Sequence, residues 1–319
     1  MTHAADKITG AVDIGGTKIA VGAIDGSGRV LAKEETPTAA RDGFDAAMER
    51  VTAMLGAVRA KAGVELCGIG IGCTGPVDPI SGDIGVVDFL PGWTGRNPVE
   101  RLSAAFGLSV AMENDADAAA LGEAEWGAGR GKKSLICVTV GTGIGGGIIL
   151  NGQLYRGVEG AHPEIGHHVI DDSGPLCFCG ARGCWEILAR GPAMVERLLS
   201  ELPPGYPPRE TLSAKTICEL ARAGDSYALG EVSREGYYLG VGIANLITLF
   251  APEMIVLGGN VMGSADLFLP LIGEVVHKNC GLVPAEKVEL RLASLGADAP
   301  LVGAGMVWCH RFANRGGHT

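Results

Sequence analysis

The segment from residue 164 to residue 186 contains the side chains with the clearest chemistry. Cys177, Cys179 and Cys184 lie at metal-ligand spacing, and His167 lies a short distance upstream. Three thiolates and one imidazole form the tetrahedral donor set of structural Zn²⁺. The segment therefore predicts a bound zinc ion, and the alternative is a set of unmetallated thiols. A filled Cys3His shell has no open position for water, so this metal is not expected to activate a nucleophile.

Two glutamates, Glu164 and Glu186, lie in the same segment, and a tetrahedral zinc ion does not need them. His162 and His168 are alternative nitrogen donors to the metal. We favour His167, because Glu164 lies three residues before it on the same local turn. We therefore expect the metal to fix a loop that presents both glutamates to a polar ligand.

Glycine turns follow three apolar, strand-like runs. Such turns let successive backbone N–H groups converge on an anion. Neither a Walker A motif nor a dinucleotide-binding strand–G-x-G-x-x-G–helix unit is present, because a strand-like run follows Gly141-Thr142-Gly143. Two hydroxyl-bearing turns that open similar halves favour a nucleotide clamped between domains over plain hairpin turns. The turns are Gly15-Gly16-Thr17-Lys18, Gly141 to Gly146, and Gly258-Gly259.

Two aspartates lie where strands end. Asp13 interrupts an apolar strand just before the first turn, and a carboxylate there is costly to bury without a partner. Mg²⁺ carried by a nucleotide phosphate is one partner, and the N–H groups of the turn are the alternative. Asp115 follows Asn114 between a strand and a helix. It is either the helix N-cap or a general base that takes a proton from a substrate hydroxyl.

Composition excludes several classes of protein. The chain has 319 residues and a formal charge of −10, which argues against a nucleic-acid or anionic-membrane surface. Nine cysteines, with no apolar run of signal-peptide length near Met1 to Lys7, indicate a reducing compartment and predict a cytoplasmic protein. No run of membrane-span length is uninterrupted.

The order of strands and helices indicates an α/β protein. A strand–glycine turn–strand hairpin begins near Ile8 and again near Ser134, which predicts two similar domains facing a cleft. A helix capped by Asp42 is expected to bury one apolar face and end at Gly63, and a last helix is expected from Asp298 to about Phe312. The prolines from 203 to 208 predict a surface loop.

These motifs together resemble the ROK family of repressors, open reading frames and sugar kinases. The resemblance extends over essentially the whole chain, and the cysteine motif is its most specific part. The matching segments are Asp13 to Lys18, Glu113-Asn114-Asp115-Ala116, Gly141 to Gly147, Glu164-Ile165-Gly166-His167, Cys177 to Glu186, Gly240 to Leu246 and Val256 to Gly259.

The resemblance implies an actin-like ATPase fold, related to ribonuclease H, with two similar α/β domains around a cleft. The domain boundaries predicted with it are 1–113 plus 300–319, whose C-terminal helix packs back on the N-terminal domain, and 114–299 with the zinc-binding loop. It also implies ATP-dependent phosphorylation of a hexose, with Mg²⁺ and structural Zn²⁺, by a homodimer or homotetramer. Glucose to glucose 6-phosphate is the expected reaction.

The resemblance also implies roles for single residues. Asp115 would be the base. Sugar hydroxyls would be held by Gly75, Asn114, Asp115, Glu164, His167 and Glu186. His167 would serve twice, with one ring nitrogen on zinc and the ring edge toward the sugar. The ATP side would comprise Asp13, Gly15, Gly16, Thr17, Lys18, Gly141, Thr142, Gly143, Gly258 and Gly259.

Two positions depart from the family pattern. Asp117 stands where the family has asparagine, so a like charge close to Asp115 would raise one of the two pKa values. Phe89 stands where glucokinase-like members have an asparagine before Leu-Pro-Gly-Trp. The loss of a polar partner can change sugar selectivity by orders of magnitude.

Three alternatives to a glucokinase remain. An N-acetylmannosamine kinase, or another kinase of N-acetylhexosamines or hexoses, is the nearest. A sugar-sensing ROK repressor would need a DNA-binding winged helix before the first turn, and only seven residues precede Ile8. A zinc-stabilised sugar-binding module without catalysis would have no use for a base at Asp115.

Overall fold

A computed structural model of the protein describes residues 7–203, 206 and 211–313. Residues 1–6 and most of the predicted loop of prolines from 203 to 208 lie outside the described residues. The chain forms two compact units. The first comprises Met1–Lys133, Gly147–Pro163 and Ala293–Thr319, and the second comprises Ser134–Gly146 and Glu164–Leu292. The domain boundaries at residues 113 and 300 stay a prediction.

The first unit is built on a five-stranded sheet of order β3-β2-β1-β4-β5. β1 pairs antiparallel with β2 and parallel with β4, β2 pairs antiparallel with β3, and β4 pairs parallel with β5. Strands β1, β2 and β4 are almost wholly buried, as their apolar runs predict. The strands are β1 (Thr9–Ile14), β2 (Lys18–Ile24), β3 (Val30–Pro37), β4 (Gly68–Cys73) and β5 (Val110–Asn114).

Among the residues that the structure describes, four α-helices belong to the first unit: α1 (Phe44–Ala62), α2 (Pro98–Phe106), α3 (Asp115–Glu125) and α9 (Ala299–Trp308). The predicted apolar face of α1 is buried, and Gly63 ends this helix with φ 64°. The predicted cap Asp42 is wrong, because Asp42 closes a 3-10 turn and Gly43 precedes the helix. The last helix has Asp298 as its N-cap, as predicted; its α-helical part ends at Trp308, and a π-helical turn, Cys309–Ala313, continues it to the predicted end near Phe312.

Helix α9 approaches the first sheet through glycine. A Cβ on Gly70 of β4 would lie 1.9 Å from the carbonyl oxygen of Ala304. Only a residue without a side chain allows this contact between helix and strand. The C-terminal helix therefore covers the strand that precedes Thr74 and Gly75.

The second sheet has the order β10-β9-β6-β7-β8. This order repeats that of the first sheet when the strands are counted from β6, so the prediction of two similar α/β units is confirmed. β7 begins at Ile144, which limits the turn before it to Gly141–Gly143 instead of the predicted Gly141 to Gly146. The strands are β6 (Leu135–Val140), β7 (Ile144–Leu150), β8 (Gln153–Leu154), β9 (Met254–Gly258) and β10 (Glu289–Leu292).

The helices of the second unit begin after the cysteine loop and surround a long central helix, α7. They are α4 (Trp185–Ala189), α5 (Gly191–Glu201), α6 (Ala214–Arg222), α7 (Ser226–Phe250) and α8 (Ala265–Asn279). Among the described residues, no helix combines the length and the apolar character that crossing a membrane requires.

Candidate active site

Three chain segments leave the first sheet at one edge. β1 and β4 are parallel with Ile14 opposite Cys73, and β4 and β5 are parallel with Cys73 opposite Asn114. Because the carboxyl ends of parallel strands meet at one edge, ligands usually bind there in α/β folds. The Asn114 side-chain amide donates a 3.2 Å hydrogen bond to the carbonyl of Gly75. The predicted sugar-binding residues Gly75, Asn114 and Asp115 are thus brought together.

Asp115 is the first residue of α3. The N-cap is Asn114, whose Oδ1 accepts a 2.8 Å hydrogen bond from the Ala116 N–H. The interpretation of Asp115 as the cap is therefore wrong, although its own Oδ1 also accepts from this N–H at 2.8 Å. Burial raises the pKa of Asp115, opposed by the Ala116 N–H, by the charge of His162 and by a hydrogen bond with Thr74. A partly exposed carboxylate with a raised pKa is suited to accept a proton.

The first glycine turn joins β1 to β2 beside Asp13. The Gly15 N–H donates a 2.9 Å hydrogen bond to the carbonyl of Lys18. Burial and, after it, the charge of Asp115 raise the pKa of Asp13 to about 7, against the opposing effect of Lys18. Asp13 and Asp115 therefore lie close enough to interact. The Lys18 ammonium contacts the Glu35 carboxylate at 2.9 Å.

An exposed aromatic ring lies against this turn. A Cβ on Gly16 would lie 3.1 Å from the ring of Phe89, and this ring is 54% exposed. The residue that departs from the family pattern is therefore in contact with a predicted phosphate-binding turn.

Asp117 is fully buried and faces an imidazole and a guanidinium group. Its carboxylate lies 2.9 Å from His162 Nδ1 and 3.7 Å from the guanidinium of Arg156. The predicted like-charge effect of Asp117 is not what raises the pKa of Asp115, since burial does so. His162 lies beside Asp117 in the first unit. It is not among the converging ligand atoms, so its alternative assignment as a zinc ligand is wrong. Sequence reasoning also missed Arg156, for which no motif gave a signal.

In the second unit, two glycine turns follow neighbouring parallel strands. β6 and β9 pair with Thr139 opposite Gly258. Gly259 has φ 90°, and a Cβ there would lie 2.3 Å from the carbonyl oxygen of Val140. The turns at Gly141 and Gly258 therefore lie side by side at the end of the second sheet. The Gly141 carbonyl also accepts a 2.8 Å hydrogen bond from the Gly191 N–H, where α5 begins.

Glu186 binds the first of these two turns. Its Oε2 accepts a 2.9 Å hydrogen bond from the Ile144 N–H, and a Cβ on Gly143 would lie 2.5 Å from this oxygen. Its Oε1 lies 4.0 Å from His167 Nε2. Glu164 immediately precedes the 3-10 turn Ile165–His167, and its carbonyl accepts a 3.0 Å hydrogen bond from the His167 N–H. The three predicted polar residues of this segment are thus neighbours.

The four predicted metal ligands converge. The ligand atoms of His167, Cys177, Cys179 and Cys184 all lie within 4.8 Å of one another. The sulfur atoms of Cys179 and Cys184 are 3.4 Å apart, and Cys177 Sγ lies 3.5 Å from His167 Nδ1. These separations fit a single tetrahedral ion with ligand bonds of about 2.0–2.3 Å. His168 is not part of the set, because its Nδ1 lies 2.6 Å from the carbonyl of Ile165.

The loop that carries the cysteines is closed by its backbone. The Cys177 N–H donates a 2.8 Å hydrogen bond to the carbonyl of Ala181. Gly183 has φ 64°, and a Cβ there would lie 1.5 Å from the carbonyl oxygen of Asp171. Cys177 and Cys184 are buried and Cys179 is exposed. The thiols are therefore brought together by the fold of the loop itself.

Comparison with known proteins identifies relatives over nearly the full chain. A glucokinase of Halalkalibacterium halodurans is 36% identical over 92% of this chain and 92% of its own. A ROK hexokinase of Thermus thermophilus is 34% identical with a TM-score of 0.80, over 94% of this chain and 97% of its own.

The solved structure of a ROK family glucokinase of Streptomyces griseus, in complex with glucose and AMPPNP, is 33% identical with a TM-score of 0.78. It covers 93% of this chain and 98% of its own. The model of the ROK family matches residues 9–311. The chain therefore belongs to the ROK family and has its actin-like ATPase fold, as its motifs predict.

Proposed function

We propose that this protein is an ATP-dependent hexose kinase that converts glucose to glucose 6-phosphate. The observation that carries the proposal is the placement of Asp115 at the start of α3, beside the Asn114–Gly75 contact at the edge of the first sheet. A carboxylate with a raised pKa at that edge has the properties of a base for a hydroxyl. The relatives named glucokinase support the choice of sugar.

In the proposed reaction, the oxygen of the sugar hydroxyl bonds to the γ-phosphorus of ATP, and Asp115 accepts the proton of that hydroxyl. The bond from that phosphorus to the β–γ bridging oxygen breaks, and ADP leaves. Phosphoryl transfer requires mainly positioning and charge neutralisation. Mg²⁺, when bound with the nucleotide, supplies positive charge to the phosphate oxygens, and Asp13 would hold it, most simply through water.

The nucleotide-side residues offer mainly backbone donors. We assign Gly15, Gly16, Thr17 and Lys18 of the first unit to the ATP phosphates. The turns at Gly141–Gly143 and Gly258–Gly259 have the same assigned role in the second unit, and their adjacency there supports it. The net charge of −10 opposes an anion, so these local donors must hold it.

The sugar-side residues are polar groups already fixed by neighbours. Asn114 and Gly75 in the first unit and Glu164, His167 and Glu186 in the second are assigned to sugar hydroxyls. Glu186 is fixed by the Ile144 N–H and His167 by its position among the cysteines. Fixed acceptors bind hydroxyls with little loss of side-chain entropy.

The four-ligand cluster is proposed to bind a structural Zn²⁺. His167, Cys177, Cys179 and Cys184 would hold it, with His167 Nδ1 toward the metal and Nε2 toward Glu186. Zinc would supply no chemistry to the transfer and would keep the loop closed. His167 then connects the metal to the sugar-binding glutamate.

Phe89 bears on which sugar the protein phosphorylates. Phe89 places an apolar ring beside Gly16 where glucokinase-like members of the family have asparagine. An N-acetylhexosamine kinase, such as one for N-acetylmannosamine, is therefore the second candidate. A cytoplasmic location and a homodimeric or homotetrameric assembly remain part of the proposal.

The proposed function is tested by an ATP-consumption screen over glucose, mannose, fructose, allose, N-acetylglucosamine and N-acetylmannosamine. We expect turnover with at least one hexose and the highest kcat/KM with glucose. If kcat/KM were highest with an N-acetylhexosamine, the protein would be an N-acetylhexosamine kinase, the second candidate. Sugar binding without ATP consumption, for all six, would indicate a sensor and contradict the proposed function.

A further inference from the structure

A buried acid–imidazole pair in the first unit has no part in the reaction as proposed. The Asp117 side chain is 0% exposed and the His162 side chain is 10% exposed. Asp117 Oδ2 lies 2.9 Å from His162 Nδ1. Isolated buried carboxylates are costly, so a partner at this distance accounts for the burial of Asp117. The pair is therefore a built feature of the interior rather than a surface contact.

The position of the pair relates it to Asp115. Asp117 follows Asp115 by two residues in the first turn of α3, and residues at this spacing do not face each other on a helix. The Asp117 carboxylate accordingly faces His162 and Arg156. Arg156 also forms an ion pair with Glu113, the residue two positions before Asp115. Glu113 and Asp117, the acids two residues before and after Asp115, are thus paired with side chains of the segment after β8.

We propose that Asp117 and His162 are a positioning pair for Asp115. The Asp117 carboxylate, 2.9 Å from His162 Nδ1, holds the ring in place by charge attraction when the imidazole is protonated. The imidazolium form of His162 then places positive charge near the Asp115 carboxylate and keeps it ionised. The inference rests on the proposed function, in which Asp115 is the base.

The surroundings of Asp115 agree with this role. Its pKa is raised by burial and lowered by the Ala116 N–H, by His162 and by Thr74. Asp13 of β1 and Cys73 of β4 also interact with Asp115. Helix α9, which packs on α3, contains no titratable side chain. His162 is thus the cation that acts on Asp115 most strongly among these groups.

The pair also accounts for the departure at residue 117. The asparagine of the family pattern is neutral and would not pair with an imidazolium as an anion does. Aspartate at this position adds a negative charge two residues from the base, and His162 balances that charge. The aspartate and the histidine are therefore expected to act as one unit.

The test is the pH profile of kcat/KM for the sugar in His162→Gln. Glutamine is polar but carries no charge, so the acid limb of the profile should move to higher pH. We expect kcat/KM to fall about tenfold at pH 6 and less than about twofold at pH 8. His277→Gln is the matched control, since His277 is exposed on α8 in the second unit, and it should keep the wild-type profile.

Asp117→Asn gives a second, independent measurement. We expect a lower kcat, a sugar KM within about twofold of the wild-type value, and a double variant with His162→Gln no worse than the worse single variant. Additive losses in the double variant would overturn the pairing. If Asp117→Asn does not fold, the pH profile of kcat/KM in His162→Gln alone tests the positioning role of the pair.

Other outcomes contradict the inference in distinct ways. An unchanged acid limb in His162→Gln, at wild-type Tm, overturns the role of His162. A pH-independent loss with a lower Tm indicates a purely structural contact and also overturns it. Wild-type protein that phosphorylates no hexose refutes the proposed function and the inference with it. Active wild type, inactive Asp115→Asn and an unchanged His162→Gln profile refute the inference alone.

Discussion

The backbone N–H of Ile144 donates a 2.9 Å hydrogen bond to Oε2 of Glu186. This bond joins the glycine turn between β6 and β7 to the loop that carries the four predicted metal ligands. In the proposed function the turn holds ATP phosphate and Glu186 holds the sugar. One hydrogen bond within the second unit therefore links the residues assigned to the two substrates.

Gly143→Ala should break this link. Its Cβ would lie 2.5 Å from Glu186 Oε2, and the flexible carboxylate would have to move away from the Ile144 N–H. We expect the sugar KM to rise about tenfold, with Tm lowered by only a few degrees. Steady-state kinetics and a thermal melt measure both values.

The matched control for this change is Gly230→Ala. Gly230 lies within α7, and a Cβ there has no atom within 4 Å. Alanine should leave the kinetics unchanged and stabilise the protein by up to about 1 kcal/mol through helix propensity. A sugar KM equal to that of wild type in Gly143→Ala would contradict the assignment of Glu186 to the sugar.

Cys179→Ser should release the proposed zinc ion and weaken sugar binding. One of four converging ligand atoms is lost, and His167 and Glu186 are then less firmly placed. We expect about one zinc per wild-type chain by elemental analysis, less than about a tenth of that in the variant, and a sugar KM raised roughly tenfold.

Cys67→Ser is the control for the loss of a thiol. Its hydroxyl can keep the hydrogen bond that Cys67 donates to the carbonyl of Ile8, and the residue lies outside the cluster. This variant should keep its zinc and its KM. Full activity of wild-type protein that contains no metal would contradict the proposed role of zinc.

Glu235→Gln should change how stability depends on pH. Glu231 and Glu235 of α7 both pair with Arg197, and burial raises the pKa of Glu235 from 4.5 to about 8. Because the folded state holds this proton more tightly than the unfolded chain, the carboxyl stabilises the fold below about pH 4.5. That contribution is lost as pH rises through about 8.

The expected result is a Tm difference that grows with pH. Glutamine stays neutral, so Glu235→Gln should gain Tm relative to wild type between pH 5 and pH 9. Glu201→Gln is the control, since Glu201 forms an exposed pair with Arg234. The Tm of Glu201→Gln should change with pH as the wild-type Tm does. If the Tm of Glu235→Gln also followed the wild-type pH dependence, burial would not govern the titration of Glu235.

The sequence predicted those features that depend on local pattern. The expected apolar face of α1 is buried, and the repeated hairpins correctly indicated two similar sheets. Gly63 could be predicted because a helix C-terminus with positive φ favours glycine. The spacing of the three cysteines predicted their convergence, and His167 was the favoured histidine among three candidates.

Three features were not predicted, two because neighbouring residues compete for one local role and one because it joins distant parts of the chain. Asp42 could cap a helix by type, but Gly43 intervenes and α1 begins one residue later. Asn114 rather than Asp115 caps α3, and nothing in the residue types distinguished the two. The contact of Asp117 with His162 joins residues 45 positions apart, so no spacing rule indicated it.

The central claim is that Asp115 is the base of a hexose kinase, and the kcat of Asp115→Asn tests it most directly. Asparagine keeps the size and an acceptor for the Ala116 N–H, so the sugar and ATP should still bind with nearly wild-type affinity. We predict that kcat with the preferred sugar falls roughly 10²–10⁴-fold. A kcat within about twofold of wild type would contradict the claim.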